Sequence, residues 1–434
     1  MRGSENNIVV GLQWGKEGKG KITDFLSLRS DVIVRFQGCS NGGRIVEDGA
    51  ILCPVNYLPA GIQRSGKKCL ITSGVTLDLE KISEEIQKLK ELFLLRAELM
   101  ISPHCHLILS CHKIFDVLDG RKIGHKNNRT LEEPGYGHCG ADRLRRLSIT
   151  AKDLLCAKTL REKLKLMLSV KNEYLTKVYA EKEIDCDEFT EICMMQGEIL
   201  LPYIKEPYPT IAEATEKNRG VLFECCGGAL NDIEIGAYPN VMPTRTSSCA
   251  AFLGTGLSMR SSYTIIGVVK AYSARTDAGP FITEITGSVA AFIRNRGREF
   301  HHIDGSPARI GWLDMPAIKY AAEKNFVDVI VLTNLDVLTG VDEINICTSY
   351  IVDCKERTDF DLSIEEMERA KPVYKTLHGW REELPLFGSI ETMPIQVQIF
   401  IRFIEEYTGK SVIYASAGAE LENALFKLDT RTPL

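Results

Sequence analysis

The heptapeptide Gly15-Lys16-Glu17-Gly18-Lys19-Gly20-Lys21 lies between the apolar run Ile8-Val9-Val10-Gly11-Leu12 and a helical pattern over 22–28. A short buried strand, a glycine turn and a helix in direct succession constrain the fold more than any other stretch. Backbone N–H groups of such a turn, with a helix N-terminus behind them, form a cradle for phosphate. The string satisfies the spacing Gly-x4-Gly-Lys, but Ile22 stands where the usual phosphate loop carries Ser or Thr for a metal. The competing reading is a lysine-rich surface turn; the strand-loop-helix context favours phosphate. Gly15, Glu17, Gly18, Lys19, Gly20 and Lys21 are therefore expected at a nucleotide.

Further apolar, β-branched runs at 32–36, 221–223, 265–269, 327–332, 344–351 and 412–414 predict strands. Helical patterns at 79–95, 160–178 and 394–407 separate some of them, with Pro394 placed for the first helical position. Strands apolar on both faces and separated by helices predict an α/β fold with a large, mainly parallel sheet flanked by helices. At roughly 150 residues per domain the length suggests two to three domains. No repeat, low-complexity tract or Pro/Ser linker divides the chain, so a single domain over 1–434 is expected. The polar stretch Met1–Asn7 is expected to be disordered or tag-derived. The 160–178 helix, leucines interleaved with Lys and Glu, reads as an amphipathic surface or dimer helix.

Fifty-three Lys and Arg against 58 Asp and Glu give a net charge of −5, with no basic excess to favour nucleic acid. No apolar run approaches the ~18 residues of a membrane span. Fourteen cysteines, with a vicinal pair Cys225-Cys226 and no repeated spacing, read as reduced, buried thiols of a cytoplasmic protein. His104-Cys105-His106 with Cys111-His112 offers enough ligands for zinc, but alternation along a strand keeps the first three from facing one ion. They read as structural residues. His301-His302 reads as a pair of loop histidines, with a replacement acid/base as the alternative.

Two further signals sit where ligands bind in open α/β sheets, beyond the carboxyl ends of strands. Gln37-Gly38-Cys39-Ser40-Asn41-Gly42-Gly43-Arg44 follows the second strand. There Asn41 is either a ligand contact or a turn residue tolerating positive φ. Thr333-Asn334-Leu335-Asp336 ends another strand; Asp336 either accepts two hydrogen bonds from a guanine or caps the next turn.

The order of these pieces resembles adenylosuccinate synthetase, the family of GTP-dependent ligases that join IMP to aspartate. The resemblance runs through Gln13-Trp14-Gly15 to Lys21, Arg35-Phe36-Gln37-Gly38, Asn41 and Lys270-Ala271-Tyr272-Ser273-x-Arg275. It continues through Ala278-Gly279-Pro280-Phe281-x-Thr283-Glu284, Gly311-Trp312-Leu313-Asp314, Thr333-x-Leu335-Asp336 and Gly379-Trp380. It implies a fold related to the P-loop NTPases, GTP as co-substrate, and a homodimer with active sites near the subunit interface. Gly43 and Asp336 are implied at the nucleotide, and Asn41, Arg145, Gly227, Thr276 and Arg309 at the substrate. Arg145 or Arg146 supplies the arginine that crosses the dimer. The Gly43 backbone is implied as a Mg2+ ligand.

The chain departs from the family where the family does chemistry. The glycine-loop aspartate, catalytic base and Mg2+ ligand, is here Lys16, and the general-acid histidine aligns with Arg44. A lysine among cations keeps its proton and holds no metal, which disfavours Mg2+. An arginine does not shuttle protons near neutral pH. Of the family's arginine-rich substrate loop only Arg309 remains basic. The IMP stretch is Glu224-Cys225-Cys226-Gly227-Gly228 without its glutamine, and Asn334 replaces the lysine before Asp336. The favoured reading is a GTP-dependent ligase or phosphoryl-transfer enzyme with a changed substrate site, with Lys16, Arg44 and Lys19 as its catalytic cations. The alternatives are an inactive homologue that binds a nucleotide or anionic metabolite, and ordinary adenylosuccinate synthesis.

Overall fold

Ile8, Val9 and Val10 are wholly buried, as a strand covered on both faces requires, and lie in Asn7–Gly11. The computed structural model describes residues 6–40, 44–48, 51–123, 134–217, 219–257, 262–300, 305–385, 389–416, 418 and 426–427. Asn6 and Asn7, expected to precede the ordered chain, are buried, and Asn7 opens the strand because its register continues opposite Thr264. The chain forms two compact units, one from residues up to 29, 225–249 and 260 onward, the other from 30–224 and 250–259.

In the first unit Asn7–Gly11 pairs in parallel with Thr264–Lys270. Thr264–Lys270 pairs in parallel with Val329–Thr333, and that strand with Ser411–Ala415. Phe426–Lys427 adds an antiparallel edge. All four parallel strands end on the same side, which brings Gly11, Lys270, Thr333 and Ala415 to one carboxyl edge. Helix Ile395–Thr408 buries Val397, Phe400, Ile401 and Ile404, a stripe at helical spacing, against Ser411–Ala415 and helix Met315–Lys324. Pro394 caps this helix from outside, with ψ at 142°, instead of taking its first position. The expected strand near 344–351 is Glu343–Val352, but it pairs antiparallel with Lys371–His378 and Lys355–Arg357, in a separate sheet. A third sheet sets Arg309–Gly311 between Ser273–Arg275 and Glu284–Ile285.

Asp314 caps Met315–Lys324, accepting from the Ala317 N–H at 3.3 Å and from the Tyr350 hydroxyl. Burial pushes its carboxyl up to about 6. The folded state thus keeps a proton that an unfolded carboxyl loses near pH 4. Stability from this group is present below pH 4 and declines as pH rises through about 6. Asp314→Asn is expected to flatten this part of the pH-stability curve, read from urea midpoints between pH 4 and 7; an unchanged slope would contradict the assignment.

In the second unit Val32–Arg35 lies between Val221–Glu224 and Lys68–Ile71, and Glu98–Ile101 follows, all parallel. Helix Leu79–Glu91 is capped by Asp78 and buries Leu79, Ile82, Ile86 and Leu89. Helix Ala157–Lys177 buries Leu160, Leu164, Met167, Leu168, Lys171 and Leu175. Its stripe is apolar apart from one lysine.

Candidate functional site

The turn between Asn7–Gly11 and helix Lys19–Ser27 is built on Glu17, which is fully buried. Its Oε1 accepts from the Gln13 N–H at 3.1 Å and the Gly15 N–H at 2.9 Å, and its Oε2 accepts from the Lys19 ammonium. Burial alone would lower the Lys19 pKa, but the Glu17 carboxylate overrides it and holds Lys19 above its ordinary value. The Thr333 hydroxyl donates to the Glu17 carbonyl at 2.6 Å, tying the loop to the end of a neighbouring strand. Gly18 caps the helix in the left-handed region, and no acidic residue enters the first turn. The helix N-terminus therefore presents N–H groups and positive dipole without an internal anion. Gly20 lies in that turn, and Ile22 is buried in the helix.

A second segment closes under the loop. Asn231 donates to the Trp14 carbonyl at 2.7 Å, and Thr246 donates to the Gly228 carbonyl at 2.7 Å. A Cβ at Gly228 would overlap the Gln13 carbonyl, the Gly15 nitrogen and Glu17, so this crossing requires glycine. Gly227 is left-handed, at φ +79°, and a Cβ there would lie 2.7 Å from the Met242 sulfur. Cys225 and Cys226 are buried beside Lys19, with the Cys225 thiol directed at the Thr246 carbonyl at 3.2 Å.

The remaining lysines of the loop bond to later segments of the chain. Lys16 takes a left-handed backbone, φ 58°, and its ammonium donates to the Phe300 carbonyl at 3.1 Å. Lys21 donates to the Ser416 hydroxyl and the Gly418 carbonyl, both at 2.8 Å. Asp336 accepts from the Gly418 N–H at 2.8 Å, so Lys21 and Asp336 hold one segment from two sides. Asn334, left-handed at φ 59°, caps the 3-10 turn carrying Asp336.

Arg275 stacks on Trp14, 3.8 Å from the ring centroid, and donates through Nε to Asp277 at 2.7 Å; Thr276 between them is exposed. Arg309, expected from the resemblance to lie at the substrate, forms a two-pronged pair with Glu284 and donates to the Gly279 carbonyl at 2.6 Å. Its guanidinium is thus committed inside this unit. His301-His302 lies outside the described residues.

In the second unit Arg35 is wholly buried, and its guanidinium donates to the Cys39 and Tyr57 carbonyls. That fixes the start of the second glycine turn. Asn41 and Gly43 lie outside the described residues; Arg44 opens the strand Arg44–Asp48, paired with Ile51–Val55. Arg145 and Arg146 are exposed at the end of helix Tyr136–Arg145. Asp142 of this helix is buried and accepts from Lys171 at 2.7 Å and His112 at 3.0 Å. His112 Nδ1 accepts from the Leu109 N–H at 2.9 Å, which leaves Nε2 to donate. The periodicity of 160–178 placed position 171 on the inward stripe, a signal for a buried, paired lysine that the reading of a surface helix overlooked.

A divalent cation beside phosphates is held by one or two carboxylates. Glu17, the loop's one carboxylate, has both oxygens engaged. Asp232 accepts from the Glu234, Thr246 and Ser247 N–H groups, Asp277 from Arg275 and the Gly279 N–H, and Glu299 from Lys270 and the Tyr272 hydroxyl. Among the described residues no three His, Cys, Asp or Glu side chains are grouped to hold a metal. The described carboxylates around the loop all accept from protein donors.

Residues 8–425 match the model of the adenylosuccinate synthetase family. The adenylosuccinate synthetase of Nitratidesulfovibrio vulgaris is 37% identical over 425 residues, covering 97% of this chain and 99% of its own. That of Caldanaerobacter subterraneus is 34% identical over 420 residues, covering 96% and 98%. Fully ligated adenylosuccinate synthetase from Plasmodium falciparum superposes with a TM-score of 0.89 at 26% identity, over 98% of this chain and 100% of that one. Succinoaminodeoxyadenylate synthetase of cyanophage S-2L shares the fold, with a TM-score of 0.60 at 15% identity. No helix among the described residues is long and apolar enough to cross a membrane.

Proposed function

We propose that this chain, which belongs to the adenylosuccinate synthetase family, is a GTP-dependent ligase-like enzyme that transfers phosphoryl to an acceptor other than IMP. The observation that carries this reading is Lys16, an ammonium on the glycine loop held at the Phe300 carbonyl, in the place of a carboxylate base. A cation there neutralises charge on a transferring phosphoryl group and takes no proton from an acceptor. That chemistry suits an acceptor already anionic at neutral pH, such as a carboxylate. The nucleotide would lie on the N–H groups behind Gly18, with Lys19 facing the phosphates and Asp336 the base. The pairing of Arg309 with Glu284 supports the change of acceptor, because it occupies the guanidinium that would otherwise bind aspartate. The family's homodimer enters the same reading, and Arg145 and Arg146 are exposed as a reach to a second protomer requires.

The test compares GDP release from GTP with IMP plus aspartate and with a panel of carboxylates, each supplied with the full chain. Acceptor-dependent GDP release with a carboxylate, and little or no adenylosuccinate, is expected. Adenylosuccinate formation at the rate of the Nitratidesulfovibrio vulgaris relative would overturn the reading. GTP binding without GDP release for any acceptor would replace the enzyme by a nucleotide-binding protein.

A further inference from the structure

We propose that this chain binds its nucleoside triphosphate without a divalent cation, the Lys16 ammonium supplying positive charge beside the phosphates. The inference rests on the reading that the glycine loop holds a nucleotide, and concerns how that site neutralises its ligand.

Four carboxylates are linked to the loop through hydrogen bonds, a stacked guanidinium or a neighbouring residue, and each already serves another group. Glu17 holds the Gln13 and Gly15 N–H groups and the Lys19 ammonium. Asp232 follows Asn231, which binds the Trp14 carbonyl, and it gathers N–H groups from 234, 246 and 247. Asp277 holds Arg275, the guanidinium stacked on Trp14. Glu299 holds Lys270 and Tyr272, whose carbonyls accept from the Gln13 side chain. All four are buried. Recruiting any of them to a metal would leave a buried ammonium, guanidinium or N–H group without its acceptor.

Meanwhile the loop carries its own cations. Lys16 is half-buried, and its left-handed backbone and the Phe300 carbonyl fix where its charge sits. Lys19 opens the helix directly after Gly18, and its own charge is balanced by Glu17. An incoming divalent cation meets repulsion from the Lys16 ammonium, whereas a polyphosphate meets attraction from it and from the helix N-terminus.

The test is equilibrium dialysis of GTP against the full-length protein, in buffer with Mg2+ and in buffer with EDTA. Dissociation constants equal to within about twofold in the two buffers are expected. Lys16→Met is expected to weaken binding in EDTA roughly 10- to 100-fold, as loss of a charge-assisted contact does. Lys16→Asp is expected to bind GTP only with Mg2+, with circular dichroism showing that both variants keep the parent fold. Binding by the parent in Mg2+ but not in EDTA would overturn the inference and leave the nucleotide reading standing. Absence of binding in both buffers would overturn the two together.

Discussion

Glu17→Ala is expected to lower the folding free energy by about 3–5 kcal/mol, as removal of one partner from a buried ion pair does. It should also abolish GTP binding. Three donors depend on this one side chain: the Gln13 and Gly15 N–H groups, and Lys19, whose side chain is 11% exposed. Without the carboxylate the ammonium is left buried without a counter-ion, and the two N–H groups lose their acceptor. Each such N–H costs about 1–3 kcal/mol when water does not replace the bond. Glu17→Gln keeps the shape and one acceptor oxygen and should fall between the parent and the alanine variant. Urea unfolding followed by tryptophan fluorescence measures the effect; a Glu17→Ala protein within about 1 kcal/mol of the parent would show that the loop does not depend on this residue.

Asp142→Ala is expected to cost a similar amount, in the second unit and for the same physical reason. Its carboxylate stands between Lys171 and His112, and all three side chains are buried. The Lys171 ammonium also lies 4.8 Å from the centre of the Phe115 ring, a contact too weak to replace an anion. Exchanging the anion and cation together for apolar residues, in Asp142→Leu with Lys171→Met, should recover part of the loss, since a buried pair often gains little over packed hydrocarbon while the His112 Nε2–H still loses its acceptor. The trio also sets a pH dependence. Burial pushes His112 below its ordinary value, outweighing the attraction of Asp142. The unfolded imidazole then takes a proton that the folded one refuses, so stability falls as pH drops below about 6.5. Burial raises Asp142, but His112 and Lys171 together hold it below the usual carboxylate range, so its contribution persists until more acidic pH. Asp142→Ala should be less stable at neutral pH, whereas the double variant retains the His112 slope. Equal stability of Asp142→Ala and the parent at pH 7 would contradict the arrangement.

The strand-loop-helix at 8–28 was legible because its signals are local: an apolar run, glycines that permit left-handed turns, and a following helical period. The α/β class followed from repeating that logic along the chain. The placement of Glu343–Val352 was not legible, since an apolar run does not state whether its partner runs parallel or antiparallel. Nor was the role of Glu17: its place in the glycine loop suggests a nucleotide contact, and its bonds to the Gln13 and Gly15 N–H groups involve backbone positions that the sequence pattern does not reveal. Arg309 gives the same lesson, because its partner Glu284 is distant in sequence. Lys171 was legible in principle, as a lysine on an apolar stripe. Asn41, Gly43 and the His301-His302 pair lie outside the described residues.

The loop that opens the chain is completed by residues made much later. Its geometry needs Gly228 and Asn231 beneath it, Gln13 bound to the Lys270 and Tyr272 carbonyls, Thr333 on Glu17, and Ser416 on Lys21. During synthesis the N-terminal strand therefore emerges long before its partners, and its apolar edge waits for Thr264–Lys270. Such long-range pairing folds slowly and leaves an aggregation-prone edge in the nascent chain. A ligand of this loop would stabilise the finished protein and not the nascent chain.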